Sequence, residues 1–347
     1  MYLVCELNKQ DTAEVNAWNA YVHSNTESFA YHLAEWQTVI EDSFALRTFY
    51  LYAKQPNGAI QGVLPLVLSK SAVFGTFLTS LPFFNYGGVL ADNPESRNAL
   101  LAEARAIAER VKAAHVELRH VKPLYDELPT KTHKVRMVLS LPPTPEALWE
   151  SFKSKLRSQI KRPQKENMQV SIGGMELLDD FYHVFSVNMR DLGTPVWTKR
   201  LFENILRMFP DKAALCVVYH RNRPAAAGYV FGHNGCMEIP SASSLKKFNQ
   251  FSPNMLLYWS LLEHACKKGY AFFDFGRSSP DAGTFKFKEQ WGAVPETLHW
   301  QYVLMNDGTL PEINPSNPKY ALCISLWKKL PVPLANLIGP YLSRNIP

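Results

Sequence analysis

Residues 213–231 read AALCVVYHRNRPAAAGYVF. Ala213 to Tyr219 is an apolar, β-branched run, Arg221-Asn222-Arg223-Pro224 is a turn, and Ala225 to Phe231 returns as a second apolar run, the pattern of a β-hairpin. A further apolar strand follows. Then comes a helix near Pro253 to Lys268, apolar over most of its surface and so predicted to be buried, and it feeds the extended segment Ala271-Phe272-Phe273-Asp274-Phe275. The same order stands upstream. Thr48 to Ala53 is strand-like, Gln55-Pro56-Asn57-Gly58 turns, and Ala59 to Leu68 returns. After another strand, a helix near Asn98 to Ala114, with Leu101, Ala104, Ile107, Ala108 and Val111 on one face, leads into Val116-Glu117-Leu118-Arg119. Strand, hairpin, strand, helix, strand thus occurs twice, which predicts a mixed α/β chain of the α+β class. Each copy would be a mostly antiparallel sheet flanked by helices, with a crevice at the carboxyl ends of its last strands.

The proline-rich stretch Leu141 to Pro145 separates the copies, and Thr144 is placed to cap a helix that begins at Pro145. It sets two domains, 1–143 and 144–347. With 347 residues, 46% hydrophobic and 20% charged, each is long enough to bury its own core, and a disordered chain is excluded. No run of about 18 apolar residues predicts a membrane span, and the first residues lack the basic and apolar regions of a secretory signal. The five cysteines are scattered, with no C-x-x-C pair and no H-E-x-x-H, so neither a disulfide framework nor a metal site is expected. They read as buried, reduced residues of a cytoplasmic protein. There is no G-x-S-x-G, no G-x-x-x-x-G-K-[ST] and no G-x-G-x-x-G, which sets aside the common hydrolase, NTPase and dehydrogenase signatures.

Four segments carry candidate chemistry. In WESFKSKLRSQIKRPQK (149–165), Trp149, Phe152, Leu156 and Ile160 form one apolar helical stripe. Lys153, Arg157 and Lys161 form a basic stripe beside it, with Pro163 expected to end or kink the helix. Such a face suits a pyrophosphate or a nucleic-acid backbone, or is simply solvated; Arg157, at the border with the apolar stripe, is the member placed to enter a cleft. Ser252-Pro253-Asn254 opens the second long helix, with Ser252 as cap, Lys246 and Lys247 upstream, and an N-terminus that phosphates bind readily; an ordinary capped helix accounts for the same residues. The densest cluster is DFGRSSPDAGTFKFKEQWG (274–292). Gly276 permits a sharp turn, Arg277 and Ser278 present donors at a strand's carboxyl end, and an extended Thr284 to Lys288 would put Lys286 and Lys288 on one face, either over the crevice or exposed on a plain hairpin. In the first copy, Tyr86-Gly87-Gly88 reads by itself as a turn before the next strand, and also offers a hydroxyl and a backbone that a ligand can approach. The exit from Trp327 to Pro347 mixes apolar residues, prolines and cations; it is read as packing against the body, with peripheral contact to a membrane surface as the alternative.

With these segments in hand, the chain resembles the FemAB-like (FemABX) acyltransferases, built from two tandem GNAT-like, acyl-CoA N-acyltransferase domains. The resemblance rests on Lys155-x-Arg157-x-x-Ile160, the helix ending in Gly269, Asp274-Phe275-Gly276, Phe287-Lys288-x-x-Trp291-Gly292 and Tyr86-Gly87-Gly88. The exit WKKLPVPLANLIGPYLSRNIP resembles a branch found beside exosortase and exopolysaccharide loci, the exosortase/PEP-CTERM-associated branch. The resemblance implies transfer of an acyl or aminoacyl group, from acyl-CoA or aminoacyl-tRNA as co-substrate, to an amine of a cell-envelope or exopolysaccharide precursor. It assigns Lys288 to stabilising the acyl transition state and Arg157 to acceptor phosphates. Two departures stand out. No inserted long helical hairpin of the tRNA-using members is visible, and Lys246 to Asn254 replaces a Q-x-x-G-x-G pyrophosphate loop.

The expected site then has Lys288, with Lys286, at the carbonyl and Asp274 accepting the amine proton. Arg157, Tyr86, Gly87, Gly88, Arg277 and Ser278 bind substrate, and Ser252, Asn254 and Lys247 hold the phosphates of the donor. The competing expectations are a non-catalytic tandem module that binds nucleic acid or an anionic glycan through 153–165, and a degenerate enzyme kept as a partner subunit.

Overall fold

A computed structural model describes residues 2–71, 73–306, 308–311, 318–344 and 346. Up to the proline-rich stretch the strands are β1 (Leu3–Glu6), β2 (Arg47–Lys54), β3 (Ile60–Ser71), β4 (Gly75–Thr79), β5 (Leu90–Ala91), β6 (His115–His120), β7 (Thr130–Lys131) and β8 (Val135–Ser140). The helices among them are α1 (Thr12–Ser24), α2 (Glu35–Phe44) and α3 (Pro94–Arg110). Beyond it come α4 (Pro145–Ser151), α5 (Ser154–Lys165), β9 (Gln169–Gly173), α6 (Leu178–Leu192), α7 (Lys199–Met208), β10 (Ala213–His220), β11 (Arg223–His233) and β12 (Cys236–Ser244). The chain continues with α8 (Pro253–Lys267), β13 (Phe272–Ser278), α9 (Gly283–Glu289), β14 (Val294–Thr297), β15 (His299–Leu304), α10 (Pro318–Trp327) and α11 (Val332–Ser343).

Two compact units result. Unit 1 takes 1–134, 297–313 and 344–347; unit 2 takes 135–296 and 314–343. β8 precedes the proline-rich stretch yet belongs to unit 2, and β15 follows β14 yet belongs to unit 1. Each sheet therefore includes a strand from the far side of residue 143, the boundary that local composition suggested. Proline content marks where a segment cannot be regular; it carries no information about which sheet a flanking strand joins.

In unit 1 the sheet order is β1-β2-β3-β4-β6-β15-β7, with β5 beside β3. The predicted repeat is β2-β3-β4-α3-β6, and the crossover through α3 makes β4 and β6 parallel. Asn93 Oδ1 accepts from Ser96 N (2.9 Å) and Pro94 fills the first turn, which starts α3. Leu100, Ala104, Ile107 and Ala108 then pack it on the sheet. In unit 2 the order is β14-β8-β13-β12-β11-β10-β9, and the repeat is β10-β11-β12-α8-β13, with β12 and β13 parallel. The fold class read from the sequence is the one observed.

Two local expectations are corrected. The stripe from Trp149 to Ile160 is not one helix: Phe152 and Lys153 break it into α4 and α5, with Lys153 at the cap of α5, so the basic stripe begins at Arg157. Phe152 leaves the helix to place its ring against Trp259 and Trp291. Pro163 lies inside α5, which runs on to Lys165. Thr144 does cap α4, accepting from Ala147 N (3.2 Å). Of the five cysteines Cys216 and Cys266 are buried, but Cys323 is exposed on α10.

Candidate active site

Parallel pairing of β12 with β13 is confined to Cys236–Glu238 and Phe272–Asp274. Beyond that point the strands part, because each carries a bulge toward its other neighbour. Against β11 the register shifts so that β12 gains one residue at Ile239–Pro240, where a proline costs no ladder donor. Against β8 the register shifts between Asp274 and Arg277, so β13 gains one residue. Gly276 sits in this second bulge at φ +70°, a conformation that an L side chain resists. The two strands thus open a crevice at their carboxyl ends, and Ile239–Ser244 has no strand partner on that side among the described residues.

The second bulge aims the carbonyls of Gly276 and Arg277 at one ammonium. Lys288 Nζ donates to Gly276 O (3.0 Å) and Arg277 O (2.8 Å) and is only 7% exposed. Burial pushes its pKa down to about 8, the nearby Asp274 and Glu238 carboxylates pull upward, and Arg277 pushes down. Asp274, 2% exposed, accepts from Gly276 N (2.7 Å) at Oδ1, and its Oδ2 lies 3.8 Å from Arg136 Nη1. Arg136 Nε also donates to Glu296 (2.7 Å). Glu238 stands beside Asp274 in the parallel register, on the same face, and is buried. Lys288 thus stands in the field of two buried carboxylates, Asp274 and Glu238, and Arg136 lies beside Asp274. The sequence reading missed Glu238 and Arg136, although a lone acid between Met237 and Ile239 in an apolar strand was a usable signal.

Thr284 to Lys288 is helical rather than extended, being the body of α9. Residues two apart on a helix point about 200° apart, so Lys286 is exposed while Lys288 is buried, and they do not share a face. The driver is packing: Phe287 sets its ring against Tyr258 and Trp291, a contact the sequence alternation did not encode. Arg277 is exposed, and the Ser278 hydroxyl is enclosed with no hydrogen-bond partner among the described residues.

At the other wall, Ser252 lies at φ +56°, and its side chain makes no cap on α8, contrary to the expected cap. Pro253 starts the helix, and Asn254, half-buried, has an Oδ1 with no partner among the described residues. Lys246 Nζ lies 3.8 Å from Asp191 and Lys247 rests over the Phe248 ring. α5 packs on α8, and Arg157 is half-buried there with no ion pair among the described residues. Lys165, at its end, lines a polar cavity of about 340 Å³ with Asn167, Tyr219 and Arg221.

Unit 1 has the same divergence, past Leu78–Thr79 and Val116–Glu117, but fills it with its own chain. Ser80 N donates to Glu117 O (2.9 Å), Ser80 Oγ accepts from Arg119 N (2.8 Å), and Arg119 Nη1 donates to Phe84 O (2.6 Å). Tyr86 is 1% exposed among Phe29 and Tyr31, so the hydroxyl that the sequence offered to a ligand is inside a core. Gly87 has φ +133°, and a Cβ at Gly88 would collide with the His120 ring. The glycine pair does serve a close approach, but His120 is what approaches.

Residues 150–289 match the family model described as acetyltransferase (GNAT) domain. No curated protein matches the chain. Among solved structures, FemX aligns with a TM-score of 0.64 at 16% identity, covering 93% of this chain and all of that one. L-PGS from Bacillus licheniformis aligns at 0.53 and 13% identity, covering 88% and 96%. A tandem GNAT protein from the clavulanic acid biosynthesis pathway aligns at 0.53 and 12% identity, covering 87% and 97%. The fold is therefore of GNAT type, in tandem.

Proposed function

We propose that the chain is an N-acyltransferase whose donor site is the crevice of unit 2. The observation that carries this reading is the contrast between the two divergences: the one in unit 2 opens beside the bulge that holds Lys288, whereas the one in unit 1 is occupied by residues 80–89. An amine attacks the carbonyl of an activated thioester or ester. The C–N bond forms, the C–S or C–O bond breaks, the amine proton passes to a base, and the departing thiol or hydroxyl takes one up. Uncharged strand-edge amides and the third N–H of Lys288 supply donors for the oxyanion. Asp274 is committed to Gly276 and Arg136, so its share is to fix the bulge that orients Lys288; the buried Ser278 hydroxyl has no hydrogen-bond partner among the described residues.

Arg157, Arg277, Lys247 and the first turn of α8 with Asn254 supply the phosphate-binding charge and donors on this reading, which suits acyl-CoA or aminoacyl-tRNA as co-substrate. The acceptor is an amine of a cell-envelope or exopolysaccharide precursor, handled in the cytoplasm, in keeping with the sequence resemblance to the exosortase-associated FemAB branch. The test is calorimetric titration with coenzyme A, followed by thiol release from acetyl-CoA in the presence of candidate amines. Saturable binding that weakens on Arg157→Glu, with turnover lost on Lys288→Ala, supports an acyl-CoA enzyme. Turnover retained by Lys288→Ala defeats the assignment, and the absence of any heat moves the donor to charged tRNA.

A further inference from the structure

α11 is laid on unit 2 with its polarity reversed. Ala335, Gly339 and Ser343, spaced four apart, are its buried face. A Cβ on Gly339 would stand 2.7 Å from Val196 Cγ1 and 2.9 Å from Val196 N, so only a side-chain-free face can seat there. Asn336 donates toward Ser186 (3.4 Å) from the same side. The large apolar residues Leu334, Leu337, Ile338, Tyr341 and Leu342 follow the spacing of one helical face, and that face is in solvent: Leu337 is 67% exposed and Tyr341 64%. α10 adds Leu322 and Leu326, one turn apart and exposed, while its Ile324 covers Gly193 on the body. Arg190 Nη1, donating to Leu330 O (2.7 Å), ties the connection between the two helices to α6.

Five large apolar side chains on one face of α11, each more than a third exposed, with two more on α10, mark an interaction face. Its charge says what it meets. Lys328 and Lys329 are exposed at the turn between the helices, and residues 313–347 contain four Lys or Arg and no Asp or Glu. A second copy would bring the same cations against themselves, whereas an anionic surface complements them. Neither helix can cross a bilayer: the 12 residues of α11 rise about 18 Å, against roughly 30 Å of hydrocarbon. An apolar face flanked by lysines on a short helix is instead the arrangement of a surface-lying segment. We propose that α10 and α11 form an interfacial hairpin that docks unit 2 on an anionic phospholipid surface.

The experiment is flotation of the full chain with vesicles of phosphatidylcholine alone and with about a third phosphatidylglycerol. Binding is expected to the anionic vesicles and to weaken with salt. Replacing Lys328 and Lys329 together by Gln is expected to lower the partition coefficient about 30-fold. Leu337→Ser is expected to lower it about tenfold or more; being largely exposed, this residue can be changed without disturbing the fold, which circular dichroism checks. Failure to float with anionic vesicles at low salt overturns the proposal, as does equal binding to neutral vesicles or indifference to both variants. A lipid-independent dimer in sedimentation velocity that Leu337→Ser dissolves would assign the face to a second copy and overturn it equally.

Discussion

Replacing Lys288 by Met isolates the electrostatics of the bulge. The lysine is held at about 8 from its ordinary 10.5, chiefly by burial, and that difference is worth about 3 kcal/mol. Below pH 8 both the folded and the unfolded chain carry the ammonium, and the folded state bears the cost of enclosing it. Between 8 and 10.5 the unfolded state binds the extra proton, so unfolding free energy rises with pH over that window, and above 10.5 the cost is gone. The amine meanwhile keeps its bonds to Gly276 O and Arg277 O, each worth about 1–3 kcal/mol. Met removes both the cost and the bonds. At pH 7 the two roughly cancel, and wild type and variant should unfold within about 1 kcal/mol of each other. By pH 10 most of the cost has gone, leaving under about 1 kcal/mol of it, and the wild type should lead by about 2 kcal/mol. Urea unfolding of both proteins at pH 7, 8, 9 and 10 reads this directly, since tyrosine ionisation at the alkaline end is common to both. Parallel curves would refute the argument that burial sets the state of Lys288.

Other outcomes follow from unit 1. Glu117→Gln removes the carboxylate that pairs with the buried Arg119 (2.7 Å) and accepts from Tyr302 (2.8 Å). It should cost about 3–5 kcal/mol, measured by chemical denaturation. Gly88→Ala forces a methyl into the His120 ring and should lower stability by about 3 kcal/mol or more, with His120→Ala restoring part of it in the double variant. His32 and His120 are pushed down to about 4 and about 3 by burial, each with one ring nitrogen accepting a backbone N–H, from Phe29 and Val89. They stay neutral in the folded state, so their contribution is whole above pH 6.5 and is lost as pH falls toward 4 and 3. His120→Gln should flatten the acid limb of the stability curve relative to wild type.

The sequence alone determined the order of elements and the fold class. Hairpins with apolar strands, a capped amphipathic helix and a buried helix are local patterns, and they recur in the observed β2-β3-β4-α3-β6 and β10-β11-β12-α8-β13. It also singled out Asp274, Gly276, Arg277, Ser278 and Lys288, which the structure does gather, because they lie in one short segment where Gly276 permits a sharp turn; that the turn is a bulge within β13 came only from pairing with β8. Sequence did not decide that Thr284 to Lys288 is helical, since its alternation fits a strand and only packing of Phe287 on Tyr258 and Trp291 selects the helix. Nor did it decide that Lys288 turns inward while Lys286 stays out, that Glu238 stands beside Asp274, or that β8 and β15 join the sheets they do. These depend on contacts between residues far apart in the chain. The loop of Tyr86 to Gly88 makes the same point: two glycines announce a close approach, but whether a ligand or His120 fills the space is fixed only when β6 is laid beside β4. The exit is expected to pack against the body, and α11 does so, but the tertiary structure decides with which face: Gly339 seats against Val196 where a side chain cannot, leaving the large apolar residues outward.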